Sequence, residues 1–336
     1  MTAVLDSLQQ GRQAVLPAMR AAIDRLDPAS RAIAYYHLGW TDLDGNPTSG
    51  GGKAVRPALA LLSAEAAGAP PATGLPGAVA VELVHNFSLL HDDLMDGDTE
   101  RRHRPTVWAV RGAASAILTG DAMLALANEV LLDSDGPGAV AAARLLSEAV
   151  GELIRGQVLD VAFEQRDDVT LDECLDMAGG KTGALLSASA AIGAVLACAP
   201  ARTVSALAEF GADLGLAFQL VDDVLGIWGE PSVTGKPVHS DLRARKKSLP
   251  VTYAITHGGA PGRELAAWLT DGDVADDDAV RRAADLVDLA GGRAWALEEA
   301  HRRMAAGQRK LEDAEVPGRV REELLALARF IVTREA

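Results

Sequence analysis

The sequence predicts an all-α fold, and three observations predict it. Ala, Leu and Val dominate, while aromatic residues make up only 4%. Apolar residues recur at three- and four-residue intervals through long segments. The period-two alternation that a half-buried strand needs is missing. About ten or more helices and no convincing strand are expected, separated by clusters of Gly, Pro and Asp at 42–52, 68–77, 133–138, 229–237, 258–262 and 271–278. A hydrophobic share of 49% suffices for one buried core. No composition break marks a second domain and no fixed-period repeat is visible. The 336 residues are therefore read as one domain, 1–336, built as a large helical bundle.

Charge and composition exclude several function classes. The net charge of −15 repels nucleic-acid phosphates, so no nucleic-acid partner is expected. Against that background two basic clusters stand out, Arg101-Arg102-His103-Arg104 and Arg243-Ala244-Arg245-Lys246-Lys247. Cys174 and Cys198 lie in apolar helical contexts without metal-ligand spacing, which suits free thiols in a reducing compartment. The first residues lack a basic-then-apolar signal pattern, and no run of 18 or more apolar residues reads as a transmembrane segment. A cytoplasmic protein is expected. The acidic run from Asp271 to Asp278 precedes a helical segment, where carboxylates favour the helix dipole, and lacks calcium-loop spacing.

The chemistry is carried by two acid pairs. Residues 81–96 read VELVHNFSLLHDDLMD, an apolar helical run ending in acids. Asp92 and Asp96 are four apart, so they share a helix face one turn apart. Their repulsion costs a few tenths of a kcal/mol, roughly, unless a cation lies between them. Aspartates with open positions suit Mg²⁺, which keeps waters and takes phosphate oxygens. Residues 218–228, FQLVDDVLGIW, repeat the arrangement with Asp222 and Asp223. Two such helices facing each other across a bundle would make a multi-metal cage. Arg101 and Arg102 follow the first pair, and Lys236, Lys246 and Lys247 follow the second. Acids for metal and bases for phosphate are the two halves of a diphosphate site.

These segments resemble the trans-isoprenyl diphosphate synthase (polyprenyl synthetase) family, with matches in order along most of the chain. They are GGKAVRP at 51–57, HDDLMDGDTERRHRPT at 91–106, GQVLD at 156–160, GGKTG at 179–183, FQLVDDVLG at 218–226, GKPVHSDLRARKKSLP at 235–250 and LARFIVTRE at 327–335. The resemblance implies the isoprenoid synthase type of helical bundle. It implies a Mg²⁺-dependent prenyltransferase that condenses isopentenyl diphosphate with an allylic diphosphate, using three ions per site and acting as a homodimer. It assigns Asp92, Asp93 and Asp96 to Mg²⁺ on the allylic diphosphate, and Asp222, with Asp223 nearby, to a further ion. Arg101, Lys181 and Lys236 correspond to the clamp on the allylic diphosphate. Lys53, Arg56, His85 and Arg102 correspond to the isopentenyl diphosphate pocket, and Thr182, Phe218 and Gln219 to the lining of the reacting centre.

Two departures stand out. The second motif ends in Gly226 where many relatives carry a third Asp, a change expected to be tolerated, with Asp241 supporting the site through water. His103 replaces a common Gly, which puts that turn's geometry in question. Rivals are weaker. Glu82-x-x-His85 and Glu298-x-x-His301 echo di-iron bundles but lack two further inward glutamates. A class I terpene cyclase would need no isopentenyl diphosphate pocket. Geranylgeranyl diphosphate is the expected product, with farnesyl or longer diphosphates as alternatives. Phe87 and Ser88 lie five and four residues before Asp92, an order resembling geranylgeranyl synthases, with Val84 deeper as a floor.

Overall fold

The structure, a computed structural model, describes residues 2–48, 54–230, 238–271 and 276–332. By packing, the chain divides into two compact units. Residues 1–150, 188–208 and 311–327 form the first, and residues 151–187, 209–310 and 328–336 the second. Both are helical, as the periodicity predicts.

The first unit holds α1 (Thr2–Ile23), α2 (Pro28–His37), α3 (Val55–Ala66), α4 (Leu75–Met95), α5 (Val107–Arg111), α6 (Ala113–Leu132) and the start of α7 (Ala139–Glu164). Asp27 starts α2 by accepting from the Ala29 and Ser30 amides at 2.9 and 3.1 Å, with Pro28 in the first turn, where it loses no helical bond. α4 is apolar on nearly every face: Val79, Val81, Leu83, Val84, Phe87 and Leu90 are all buried. A helix of that kind belongs inside, and α4 packs against α1, α3 and α6. Its last turn carries the first acid pair.

The sequence reading missed one short ladder. Glu100–Arg101 pairs antiparallel with Arg104–Pro105. Arg102 and His103 at its tip both have positive φ, 52° and 60°, as the tightest hairpin turns require. His103 thus adopts the left-handed conformation without glycine.

The second unit holds the end of α7, α8 (Leu171–Ala178), a π-helical turn over Gly179–Gly183, the start of α9 (Ala184–Leu196), most of α10 (Ala201–Trp228), and helices Ser240–Arg243, Leu249–His257, Gly259–Thr270, Asp277–Leu289 and most of Gly292–Asp313. Thr170 and Glu173 form a reciprocal capping box that starts α8. Asp276 caps the helix Asp277–Leu289 through the Ala279 amide at 2.8 Å, so this end of the acidic run is a helix start, as expected. Ile227, Leu242, Val251, Leu265 and Val287 form a buried cluster that ties the end of α10 to the helices after it.

Ala113–Leu132 and Ala201–Trp228 are long and apolar enough to cross a membrane by length and composition. Neither is an uninterrupted apolar run, because small or isolated polar residues break both. Core helices of this length pass the same test, and 56% of the α10 window is buried.

Candidate active site

In the first unit the end of α4 presents its acids unequally. Asp96 is exposed and Asp92 partly exposed, whereas Asp93 is buried at 2% and bonded to Arg101 Nε at 2.5 Å. Burial raises the Asp93 pKa, and Arg101 opposes that rise. Asp93 therefore already has a cation partner, and it fixes Arg101, one of the predicted phosphate clamps.

About two helical turns before Asp92 on α4, around His85, lies a cationic region. The Arg56 Nε and the His37 Nε2 are buried with no hydrogen-bond partner. Burial lowers Arg56 to about 10; Glu82 opposes this and Arg102 adds to it. His85 is held well below its usual value by burial first, then by the charges of Arg56, Arg102 and Arg101. These groups depress one another because positive charge is concentrated there, and an anion would relieve it. Arg56, His85 and Arg102 are three of the four residues predicted for isopentenyl diphosphate; the fourth, Lys53, lies outside the described residues. A cavity of about 270 Å³ is lined by Arg102, Glu82 and Asn86. Arg12, Arg20 and Trp40 line it too, and the sequence reading missed them. Arg20 lies over the Trp40 ring at 5.0 Å, a contact with no signature in sequence spacing.

In the second unit the predicted residues cluster around the π turn. Lys181 Nζ donates to Asp160 Oδ2 at 2.6 Å. Thr182 Oγ1 donates to Gln219 Oε1 at 2.6 Å, and Gln219 Nε2 donates to Asp223 Oδ1 at 2.8 Å. A π turn here sets Lys181 and Thr182 off the regular helical register, a device common at functional sites. Phe218 lies one residue before Gln219 on α10.

The acids of α10 also divide by exposure. Asp222 is exposed and Asp223 is buried. Asp223 Oδ2 accepts the Leu249 amide at 2.9 Å. Burial pushes its pKa up to about 7, Lys246 partly offsets this, and Asp241 adds to it. The Lys246 ammonium is desolvated, yet Asp160, Asp223, Asp241 and Asp222 together keep it protonated above the usual lysine range. Burial opposes ionisation of Asp160, but Lys246 and Lys181 outweigh it and lower its pKa. Lys236, the third predicted clamp, lies outside the described residues.

Among the described residues no three or more His, Cys, Asp or Glu converge closely enough to hold a metal by themselves. That removes support from a di-iron centre; Glu298 and His301 are exposed besides. Mg²⁺ takes one or two carboxylates and fills its remaining positions with water and substrate phosphate. Partly exposed Asp92 and exposed Asp96 and Asp222 offer such carboxylates, and Asp160, Asp222, Asp223 and Asp241 all act on the ammonium of Lys246. The residues present fit the metal.

A family model described as "Polyprenyl synthetase" matches residues 45–287. A (2E,6E)-farnesyl diphosphate synthase of Mycobacterium tuberculosis is 56% identical over 336 residues, covering 99% of this chain and 94% of that protein. A geranylgeranyl diphosphate synthase of the same organism is 44% identical over 331 residues, covering 98% and 93%. The crystal structure of a polyprenyl synthetase from Streptomyces coelicolor A3(2) superposes with a TM-score of 0.94 at 52% identity, covering 98% of this chain and 100% of that one. Fold and motifs together define a trans-prenyltransferase, an enzyme that elongates prenyl diphosphates with Mg²⁺ as the family's metal. The chain belongs to the polyprenyl synthetase family.

Proposed function

We propose that the chain condenses isopentenyl diphosphate with dimethylallyl or geranyl diphosphate and releases farnesyl diphosphate as its main product. The observation that carries this is full-length identity: 56% to a farnesyl synthase against 44% to a geranylgeranyl synthase. The comparison moves the reading away from the twenty-carbon product expected from Phe87 and Ser88.

Each residue has a role in this reading. Arg56, His85, Arg102 and Lys53 bind the diphosphate of isopentenyl diphosphate. Arg101, held by Asp93, binds the allylic diphosphate with Lys181 and Lys236. Asp92, Asp96 and Asp222 would hold magnesium, three ions in all, which neutralises the departing diphosphate. The allylic C1–O bond breaks and its electron pair leaves with diphosphate. The π electrons of isopentenyl diphosphate then form a bond to C1. A proton leaves C2 of that unit, taken by the released diphosphate, and the new double bond closes there. Thr182 and Gln219, bonded to each other, orient groups at the reacting carbon, and Phe218 helps exclude water. No nucleophilic Ser or Cys is needed.

The family match draws residues from both units, and we read them as one synthase domain. The protein acts as a cytoplasmic homodimer, for which the exposed Ile117 and Leu118 of α6 suit a second copy. The test is to supply labelled isopentenyl diphosphate, Mg²⁺ and geranyl diphosphate, then chromatograph the dephosphorylated products. Farnesol should dominate. Geranylgeraniol as the main product would favour the second reading, which the small side chain of Ser88 supports.

A further inference from the structure

The cavity of about 270 Å³ beside Arg102 has a wall that the proposed reaction leaves without a task. It lies within the first unit. Val15 and Met19 of α1, with Leu38 and Trp40, give it an apolar side, and all four are buried. Arg12 and Arg20 line it too, with Val15 and Met19 between them on the helix, about 12 Å apart along its axis. Condensation requires isopentenyl diphosphate to turn its hydrocarbon toward the allylic carbon, at the acids that end α4. The cavity lies well back from those acids: Glu82 and Asn86, which line it, precede Asp92 by about 15 and 9 Å of helix.

The chain after α2 is folded to make this wall. Thr41 and Pro47 form an antiparallel bridge. Asp42 Oδ1 accepts the Asp44 and Asn46 amides at 3.0 and 2.8 Å. Thr48 donates its amide to Trp40 O at 2.9 Å and its hydroxyl to Gly39 O at 2.6 Å. Arg104 and Arg111 donate to Thr41 O and Leu43 O at 2.8 and 3.0 Å. The loop so held keeps the Trp40 ring against the Arg20 guanidinium, 5.0 Å away. Among the described lining residues Glu82 is the one acid, and its charge acts on Arg56 and Arg102. The lining thus carries three guanidiniums against one carboxylate, on a chain of net charge −15. Local positive charge beside an apolar wall suits an anion with an apolar body.

We infer that this cavity is a second, metal-independent binding site for a prenyl diphosphate, whose diphosphate is taken by the guanidiniums and whose chain lies along Val15, Met19 and Trp40. The prenyl chain rests on the proposed function, which makes such molecules both substrate and product. Arg102 is also assigned to isopentenyl diphosphate, so the two ligands exclude each other, and excess prenyl diphosphate slows the enzyme.

The test is calorimetric titration of geranyl diphosphate into the full-length protein in EDTA, where an allylic site that depends on metal cannot contribute. One ligand per chain should bind, and isopentenyl diphosphate should displace it. Inorganic diphosphate, which lacks the chain, should bind about 10-fold less tightly or weaker still. Arg12→Gln/Arg20→Gln, at two exposed positions, should weaken geranyl diphosphate binding by about 10-fold or more. It should leave kcat with Mg²⁺ at the wild-type value. Arg25→Gln, on the same helix but bridged to Glu129 and Asp133, should bind as the wild type does. The inference is overturned by no binding in EDTA, by equal affinity in the double variant, by an equal loss in Arg25→Gln, or by inorganic diphosphate binding as tightly. A wild-type protein that binds geranyl diphosphate in EDTA but transfers no prenyl group with Mg²⁺ would overturn the proposed function and leave the site standing.

Discussion

Lys181 Nζ lies 2.6 Å from Asp160 Oδ2, and both side chains are mostly buried, at 21% and 17% exposure. The lysine predicted to grip the allylic diphosphate is therefore aimed before substrate arrives, by a carboxylate of the GQVLD segment. Lys181→Ala should lower kcat/KM for the allylic substrate by about 10²–10³-fold, the range for losing one charge-stabilising donor. It should also cost about 1–3 kcal/mol of stability, because Asp160 loses a bonded partner. Steady-state kinetics with varied geranyl diphosphate, together with urea unfolding, checks both. Unchanged kinetics would remove Lys181 from the clamp.

The same turn is set by a close backbone approach. A Cβ on Gly156 of α7 would overlap the Lys181 amide and reach the Gly180 carbonyl carbon at 2.8 Å. Gly156→Ala must push the π turn away, carrying Lys181 and Thr182 with it. We expect a loss of about 1–3 kcal/mol in urea unfolding, as for overpacked cores, and a fall in kcat. A fully stable and active Gly156→Ala protein would show that the turn gives way at no cost.

Much of this site was legible in the sequence. Asp92 and Asp222 announced themselves by following apolar helical runs, and Arg56 and His85 by their place in an ordered series of motifs. What was hidden depends on contacts between segments distant in sequence. Nothing in the spacing reveals that Asp93 and Asp223 would be buried and bonded while their neighbours face solvent. Nothing foretells that Arg20 and Trp40 line a cavity with Arg102. The short ladder at Arg101 and Arg104 escaped because two residues cannot display a period. The helices were readable because each carries its pattern over several turns.

Acid should destabilise the first unit through His37. Its Nε2 is buried without a partner, and burial, then Arg101 and Arg102, lowers its pKa to about 3. The unfolded chain, with a histidine pKa of about 6.5, binds this proton first. Between about pH 6.5 and 3 the unfolded state holds more protons, so stability is present above this window and is lost as pH falls through it. The slope approaches 1.4 kcal/mol per pH unit for one histidine at most, about half the proton being taken up near pH 6.5. Urea unfolding at pH 7.0 and 5.5 should show the loss, and His37→Gln should reduce it. The same pH response in His37→Gln and the wild type would show that His37 is not its source.

The first acid pair should matter for chemistry and not for folding. Asp92 and Asp96 sit at the open end of α4, and the Asp96 amide bonds back to Asp92 O at 2.8 Å. Removing either carboxylate leaves that backbone bond in place and relieves repulsion worth a few tenths of a kcal/mol, roughly. Asp92→Ala or Asp96→Ala should lower kcat by about 10²-fold or more while the melting temperature holds. EDTA should abolish wild-type turnover, and Mg²⁺ should restore it. Near-wild-type rates in either variant would show that the ligands lie elsewhere.

Product length should be set on α4, and Phe87 is the better candidate for its limit. Phe87 is 5% exposed, and its ring meets the His91 ring edge-on, with centroids 4.9 Å apart. His91 is fixed in turn: its Nε2 lies 3.1 Å from Ile117 O, and a Cβ on Gly120 of α6 would overlap the ring. Phe87 is therefore braced through His91 against α6 and cannot swing aside as a loose ring could. Ser88, one residue on, is turned about 100° around the helix and bonds back to His85 O at 2.9 Å, so its small side chain leaves room on its own face. A chain growing from Asp92 along α4 meets Phe87 about 7 Å in, at about 1.5 Å of rise per residue. Phe87→Ala removes the braced ring and should shift product from fifteen carbons toward twenty or more, with Val84 as the next limit a turn deeper. Ser88→Phe adds a second ring and should shorten the product. Chromatography of dephosphorylated products, with kcat measured alongside, reads both. If both variants stay active and keep the wild-type distribution, α4 is not the ruler, and product length is set by another wall of the cavity.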